Sequence, residues 1–183
     1  MSKGQITGLI SPILERIRLR NIAKHVKGKR VLDVGCGRCA LRNYIGNVEY
    51  FGIERDKGID VPDKIEIFYH DVETDDLRDI GKYDSIVLCE IIEHFQNPKD
   101  VIDKLKRHLN DNGIIIISTS VPFRYKIHKY TSMMGLTSKE ASEEHKSLLG
   151  KDDIYKFAND CGLIVKSYKR KELWTKQIVV LGE

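Results

Sequence analysis

The stretch Val31-Leu32-Asp33-Val34-Gly35-Cys36-Gly37 joins an apolar, strand-like run to a glycine-bearing turn, and a helical pattern follows it. A buried parallel strand needs Val and Leu, and the turn needs residues with little side chain. The next helix opens on backbone N–H groups without intrahelical partners. Such a unit begins a nucleotide-type pocket, able to hold a phosphate or an uncharged adenosyl group.

Three features separate those ligands. Asp33 sits at the strand end ahead of the glycines, where an anion repels phosphate and attracts a cationic sulfonium or amino group. Gly35-x-Gly37 is followed by Arg38, Cys39 and Ala40, so the third glycine of a dinucleotide fingerprint is missing and an NAD site is disfavoured. Tyr50-Phe51-Gly52-Ile53-Glu54 reads as a second strand ending in a carboxylate, placed where βαβ units hold a ribose diol.

Taken in order, these motifs and those downstream resemble the class I S-adenosylmethionine-dependent methyltransferases, from about Lys29 to the C-terminus. Val31 to Gly37 is similar to the first family motif, Glu54 to its ribose-binding acid, and His70-Asp71-Val72 to the turn whose Asp meets the adenine amine. Tyr83 to Cys89 resembles the fourth strand. Leu109-Asn110-Asp111-Asn112-Gly113 with Ile114 to Ser118 resembles the following turn and fifth strand, and Cys39 stands where many members carry a third glycine. The resemblance implies an α/β, Rossmann-like methyltransferase sandwich on a mostly parallel seven-stranded sheet whose last strand, Trp174 to Leu181, is antiparallel. It implies S-adenosylmethionine as cofactor, with Asp33, Gly35 and Gly37 at the methionine end, Glu54 at the ribose, and Asp71 and Val72 at the adenine edge. Cys36, Arg55 and Cys89 complete the expected cofactor set.

Glu90-Ile91-Ile92-Glu93-His94 follows the fourth strand directly. Two carboxylates and an imidazole at a strand's C-terminal end can act as a general base for a hydroxyl or ligate a hard ion. The motif resembles the E-x-x-E-H of the small type-11 and quinone-biosynthesis O-methyltransferases, and also that of small-RNA 3′-terminal 2′-O-methyltransferases. In the RNA group a distant His completes a metal site, and His145 occupies a comparable place. The resemblance therefore makes Glu90, Glu93, His94 and His145 candidates for catalysis or for a divalent ion, with Mg or Mn suited to oxygen ligands and Zn to two histidines. In other members the same Glu-His pair orders the cofactor loop or caps the next helix without metal.

A chain of 183 residues is one domain by size, so residues 1–183 are expected to form a single unit. A hydrophobic share of 41% and a charged share of 32% describe a soluble globular protein. No membrane-length apolar run or signal-peptide pattern is present, and a cytoplasmic location is expected. The four cysteines do not read as a disulfide framework. Cys36-x-x-Cys39 has the spacing of a redox pair or half a zinc site, but no second pair completes it, and small side chains lining a cofactor loop account for it.

The net charge of +4 is uneven: the first thirty residues hold eight Lys or Arg against Glu15 alone, and Lys166, Lys169, Arg170 and Lys171 form a second basic group. These groups can attract RNA, or they can be solvated helix faces.

Residues 1–28 read as a helical leader, with Ser11-Pro12 as N-cap and first turn, that covers the sheet edge or the cofactor mouth. A short helix is expected from Cys39 to Ile45, and strands at Val48 to Glu54, Lys64 to Tyr69 and Ile114 to Thr119. Another helix should start at Asn97-Pro98, carry Val101, Ile102, Leu105 and Leu109 on one face, and end at Asn112-Gly113. A late helix over Ile154, Phe157, Ala158 and Cys161 closes at Gly162, before strands at Leu163 to Tyr168 and Leu173 to Leu181. Residues 121–147, with Arg124, Tyr125, Lys126, His128 and Tyr130, interrupt this alternation and read as a substrate lid or an ordinary packing loop.

The expected function is S-adenosylmethionine-dependent methylation of a small molecule, on oxygen. RNA modification and a non-catalytic S-adenosylmethionine-binding module are the alternatives. Steep salt dependence of RNA binding would separate the first two.

Overall fold

The run that opens the sequence argument becomes β1 (Arg30–Val34), buried at every position after Arg30. The computed structural model describes residues 4–120, 150–171 and 176–183. On one side of β1 lie β2 (Glu49–Ile53) and β3 (Glu66–Phe68); on the other lie β4 (Tyr83–Cys89) and β5 (Leu109–Ser120), all parallel. Beyond β5 the chain forms β6 (Ile164–Lys171) and then inserts β7 (Lys176–Gly182) between β5 and β6. The order is β3-β2-β1-β4-β5-β7-β6, and β7 runs antiparallel to both neighbours. The expected mostly parallel seven-stranded α/β sheet is therefore present.

Side chains alternate across a strand, so a sheet covered on both faces sorts its apolar residues into two clusters. Leu32, Val34, Ile86, Leu88, Ile115 and Ile117 face one layer; Val31, Val87, Ile114, Ile116, Ile178 and Val180 face the other. Among the described residues three helices contribute cover: α1 (Gly4–Ala23), α2 (Pro98–Leu105) and α3 (Lys151–Asp160). α2 and α3 bury Val101, Ile102, Leu105, Ile154 and Ala158 against the first layer. α1 buries Leu19 and Ile22 in the second, beside Leu41. α3 is framed as expected: the Gly150 amide donates to Asp153 at 2.9 Å, and Leu163 and Gly162 return hydrogen bonds to Ala158 and Asn159.

Several sequence expectations are corrected. Pro12 lies inside α1 rather than starting it, and Ile13 remains 58% exposed. The expected helix over Cys39 to Ile45 is one 3₁₀ turn, Ala40–Asn43, because Cys39 adopts a left-handed φ of 56° that breaks helical geometry ahead of it. α2 ends early. A 3₁₀ turn, Lys106–His108, follows it, and Leu109 already pairs with Tyr83 in β5. The Asn112-Gly113 signal marks an irregularity within the strand rather than a helix end: pairing shifts between Tyr83 and Ser85, and Asn112 has φ 60°. Asn110 spends its side-chain amide on Asp84 at 2.8 Å, whose other oxygen accepts from the Lys29 and Arg30 amides at 2.7 and 2.9 Å. That carboxylate pins β1 to β4. Residues 121–147, with His145, lie outside the described residues.

Candidate cofactor and acceptor site

Everything chemically distinctive gathers at the C-terminal ends of β1, β2 and β4. After Val34 the chain turns back over β2: the Gly35 and Cys36 amides donate to the Ile53 carbonyl at 2.8 and 3.1 Å. Gly35 has φ +66°, and a Cβ there would stand 2.1 Å from Ile91 Cδ1. Only glycine lets the loop and the turn after β4 approach so closely.

Glu54, the first residue past β2, organises this loop. Its Oε2 accepts from the Gly37 amide at 3.0 Å, and its Oε1 accepts from Arg55 and Asp56 at 2.9 and 3.1 Å. A carboxylate offers about four lone-pair sites, so Oε2 keeps capacity for a ligand hydroxyl.

Asp33 lies beneath the loop, 4% exposed, and accepts the Tyr50 hydroxyl. Burial pushes its pKa up to about 7; the Tyr50 hydrogen bond opposes this and the Glu54 charge adds to it. Burial likewise pushes the Tyr50 phenol up, and Asp33 reinforces the effect.

A cavity of about 440 Å³ opens above these strand ends. Gly35, Glu54, Arg55, Asp71, Val72 and His94, all selected from the sequence, line it together. The Asp71 turn is self-braced: Asp71 Oδ1 accepts from the Glu73 amide at 3.0 Å, and the Asp71 amide donates to Asp75 at 2.9 Å. Glu73 then reaches across to accept from the Gln96 and Asn97 amides at 2.7 and 3.2 Å, tying this turn to the segment after β4.

Five lining residues were not singled out as site residues: Ile53, His70, Glu73, Ile91 and Phe95. His70 reaches the cavity while its ring meets Asp75 and Asp79 at 3.5 and 3.3 Å. Ile91 and Phe95 supply apolar wall. They flank the 3₁₀ turn Ile92–His94, and their apolar character beside the polar Glu93-His94 pair was the available signal.

The E-x-x-E-H segment divides. Glu90 leaves β4 with a left-handed φ of 56°, its Oε1 accepts the Ser118 hydroxyl at 2.9 Å, and its Oε2 meets the Lys176 ammonium. Glu93 is 1% exposed and accepts the Thr119 hydroxyl at 3.1 Å. Both carboxylates thus grip β5 or β7, while exposed His94 reaches the cavity. Burial, and after it the Arg18 guanidinium, press Lys176 down to about 8, and the Cys89 thiol opposes them. Cys89 is set back from the cavity, and burial pushes its thiol up to about 11. Asp33, Cys36, Gly37 and Cys89 therefore support the loop and strand ends rather than line the 440 Å³ space.

Among the described residues no three His, Cys, Asp or Glu side chains stand close enough to hold a metal ion. Glu90 and Glu93, engaged by Lys176, Ser118 and Thr119, do not present a joint ligand set there. No helix among the described residues is long and apolar enough to cross a membrane.

Residues 7–167 match a family model described as a methyltransferase domain. The ubiquinone biosynthesis O-methyltransferase of Rickettsia typhi is 25% identical over 178 residues, covering 87% of this chain and 69% of the relative. The fold superposes on the plantazolicin methyltransferase solved with S-adenosylhomocysteine and a triazolic substrate analogue, with TM-score 0.75, 12% identity and coverage of 98% of this chain and 88% of that one. The magnesium protoporphyrin IX methyltransferase of Synechocystis, solved with bound S-adenosylhomocysteine, gives TM-score 0.61 at 14% identity, covering 98% and 82%.

Proposed function

The chain belongs to the methyltransferase-domain family, and from that premise we propose that it transfers the methyl group of S-adenosylmethionine to an oxygen of a small molecule. The observation that carries this reading is the placement of Glu54, clamped by the Gly37 amide on one side and facing the cavity on the other, opposite the Asp71 turn. A carboxylate for a ribose diol, a polar turn for the adenine edge and apolar walls at Ile91 and Phe95 make a nucleoside-shaped set.

S-adenosylmethionine supplies an already activated methyl on a sulfonium, so the protein's task is alignment, exclusion of water and removal of one proton. Gly35 lets Ile91 close against the loop. The acceptor hydroxyl must lose its proton as its oxygen bonds carbon, and His94, on the cavity wall, is the described residue best placed to take it. Glu90 and Glu93 hold the back of that wall to β5 and β7. His145 and the 121–147 segment stay candidates for acceptor contact. The described donors do not fit a divalent ion.

A phenolic or catecholic acceptor is supported by the ubiquinone biosynthesis O-methyltransferases among the relatives. The decisive experiment offers purified protein labelled S-adenosylmethionine with catechol and quinol, sugar, and RNA pools, with and without EDTA. Label in the phenolic pool is expected. Failure to bind S-adenosylhomocysteine would end the reading.

One observation favours RNA as acceptor instead. A cavity of about 730 Å³ beside the N-terminal ends of β4 and β5 is lined by Asp75, Asp76, Arg78, Lys82, Lys104 and Arg107; Arg78 pairs with Asp76 and Lys104 donates to backbone carbonyls, so Lys82 and Arg107 are the cations suited to phosphates. Label entering RNA alone, with binding that weakens steeply as salt rises, would establish that reading.

A further inference from the structure

Cys36 and Cys39 lie inside the cofactor loop, yet methyl transfer asks nothing of their thiols. The Cys39 amide donates to the Cys36 carbonyl at 2.8 Å, closing Cys36-Gly37-Arg38-Cys39 into one tight turn. A turn of this kind brings its first and fourth Cα atoms within about 7 Å, the range a disulfide spans. Each sulfur stands 3.8 Å from the same Gly37 carbonyl oxygen. Both are free thiols.

Their surroundings differ. Cys36 is wedged under β2, where a Cβ on Gly52 would stand 2.5 Å from its sulfur and 2.7 Å from Ile67. Cys39, though only 1% exposed, lines a separate cavity of about 490 Å³ together with Arg42, Asn43 and Lys64. Cys39 borders this second cavity, whereas Cys36, 8% exposed, borders neither it nor the 440 Å³ space.

We propose that Cys36 and Cys39 are a hydroperoxide-sensitive pair whose disulfide disables the S-adenosylmethionine loop. The proposal rests on the reading of that loop given above. The thiol hydrogen bond supports the order of events: the Cys36 S–H steadies the Cys39 thiolate, which lowers the pKa of Cys39 and raises that of Cys36. The Cys39 thiolate attacks one oxygen of hydrogen peroxide; the S–O bond forms as O–O breaks, and hydroxide leaves to become water. With the Cys39 thiolate consumed, Cys36 gives its proton to the sulfenic oxygen as its sulfur attacks the Cys39 sulfur; S–S forms as S–O breaks, and the oxygen leaves as a second water. The two sulfurs together lose two electrons, and one peroxide becomes two waters.

The consequence for the cofactor follows from what cannot move. Joining the sulfurs at about 2.05 Å imposes a fixed dihedral geometry on a turn that is not so constrained while the thiols are free. Cys36 is held by β2, so the shift falls on Gly37 and Cys39, which already sit at φ 50° and 56°. The Gly37 amide carries the hydrogen bond to Glu54, and that bond is the first to be lost. By linkage, bound cofactor must in turn slow oxidation.

The test compares S-adenosylhomocysteine binding by calorimetry in reduced and peroxide-treated protein, with peptide mapping in parallel. Trypsin cuts after Arg38, between the two cysteines, so the disulfide leaves two peptides joined. The expected result is joined peptides, affinity weakened by roughly tenfold, recovery with dithiothreitol, and slower joining when ligand is bound. Cys39→Ser should bind with one affinity before and after peroxide. Separate peptides, joined peptides with unchanged affinity, or a peroxide-sensitive Cys39→Ser would each overturn the proposal. Reduced protein that binds no S-adenosylhomocysteine would instead refute the reading of the loop.

Discussion

Tyr50 on β2 gives its hydroxyl hydrogen to Asp33 on β1, so the buried acid of the glycine loop is held by the strand that ends in Glu54. Asp33 ionises near 3.8 when solvated but at about 7 in the fold. Between those values the folded chain holds a proton that the unfolded chain has lost. Stability therefore falls as pH rises from about 4 to 7 and levels off above, where both states are ionised, a loss on the order of 4 kcal/mol. Asp33→Asn should abolish that component, as urea denaturation of both proteins from pH 4 to 8 would reveal; parallel curves would mean that Asp33 does not titrate there.

Glu54→Ala should weaken S-adenosylhomocysteine binding by about 1.5–3 kcal/mol, because a charge-assisted contact and the Gly37 anchor disappear together. Unchanged affinity by calorimetry would remove Glu54 from the site.

The Glu90–Lys176 pair is largely buried, with side-chain exposures of 18% and 8%. Lys176→Met alone strands the Glu90 charge and should cost about 3–5 kcal/mol of stability. Adding Glu90→Gln should restore most of it, since both charges are then gone. Simple additivity in urea midpoints would show that the two do not interact.

Gly35→Ala combines a left-handed φ of +66° with a clash against Ile91. The φ term alone is worth about 1–2 kcal/mol. Gly35→Ala with Ile91→Ala should relieve the clash and leave the backbone term. Thermal unfolding of the single and double variants separates them, and equal stability of Gly35→Ala and the parent would refute the close approach.

Much of the frame could be read in residue order alone. The apolar runs at Val31 to Val34 and Ile114 to Thr119 are buried on both faces, as interior strands of a covered sheet are, and Glu54 and Asp71 follow the C-terminal ends of β2 and β3. Asn112-Gly113 misled because a left-handed turn signal is the same whether it closes a helix or kinks a strand; the pairing of Leu109 with Tyr83 decides between them. Local sequence thus determined the strands, the glycine loop and the identities of the acids. Tertiary structure decided their roles. Glu90 and Glu93, three residues apart in an apparent catalytic motif, were separated from the cavity by Lys176 and Thr119, partners more than twenty residues away that no local spacing could announce. His70, Ile91 and Phe95 became lining residues because a pocket wall is set by the relative position of two turns, joined here by Glu73 to the amides of Gln96 and Asn97, and that distance exists only once the sheet has formed.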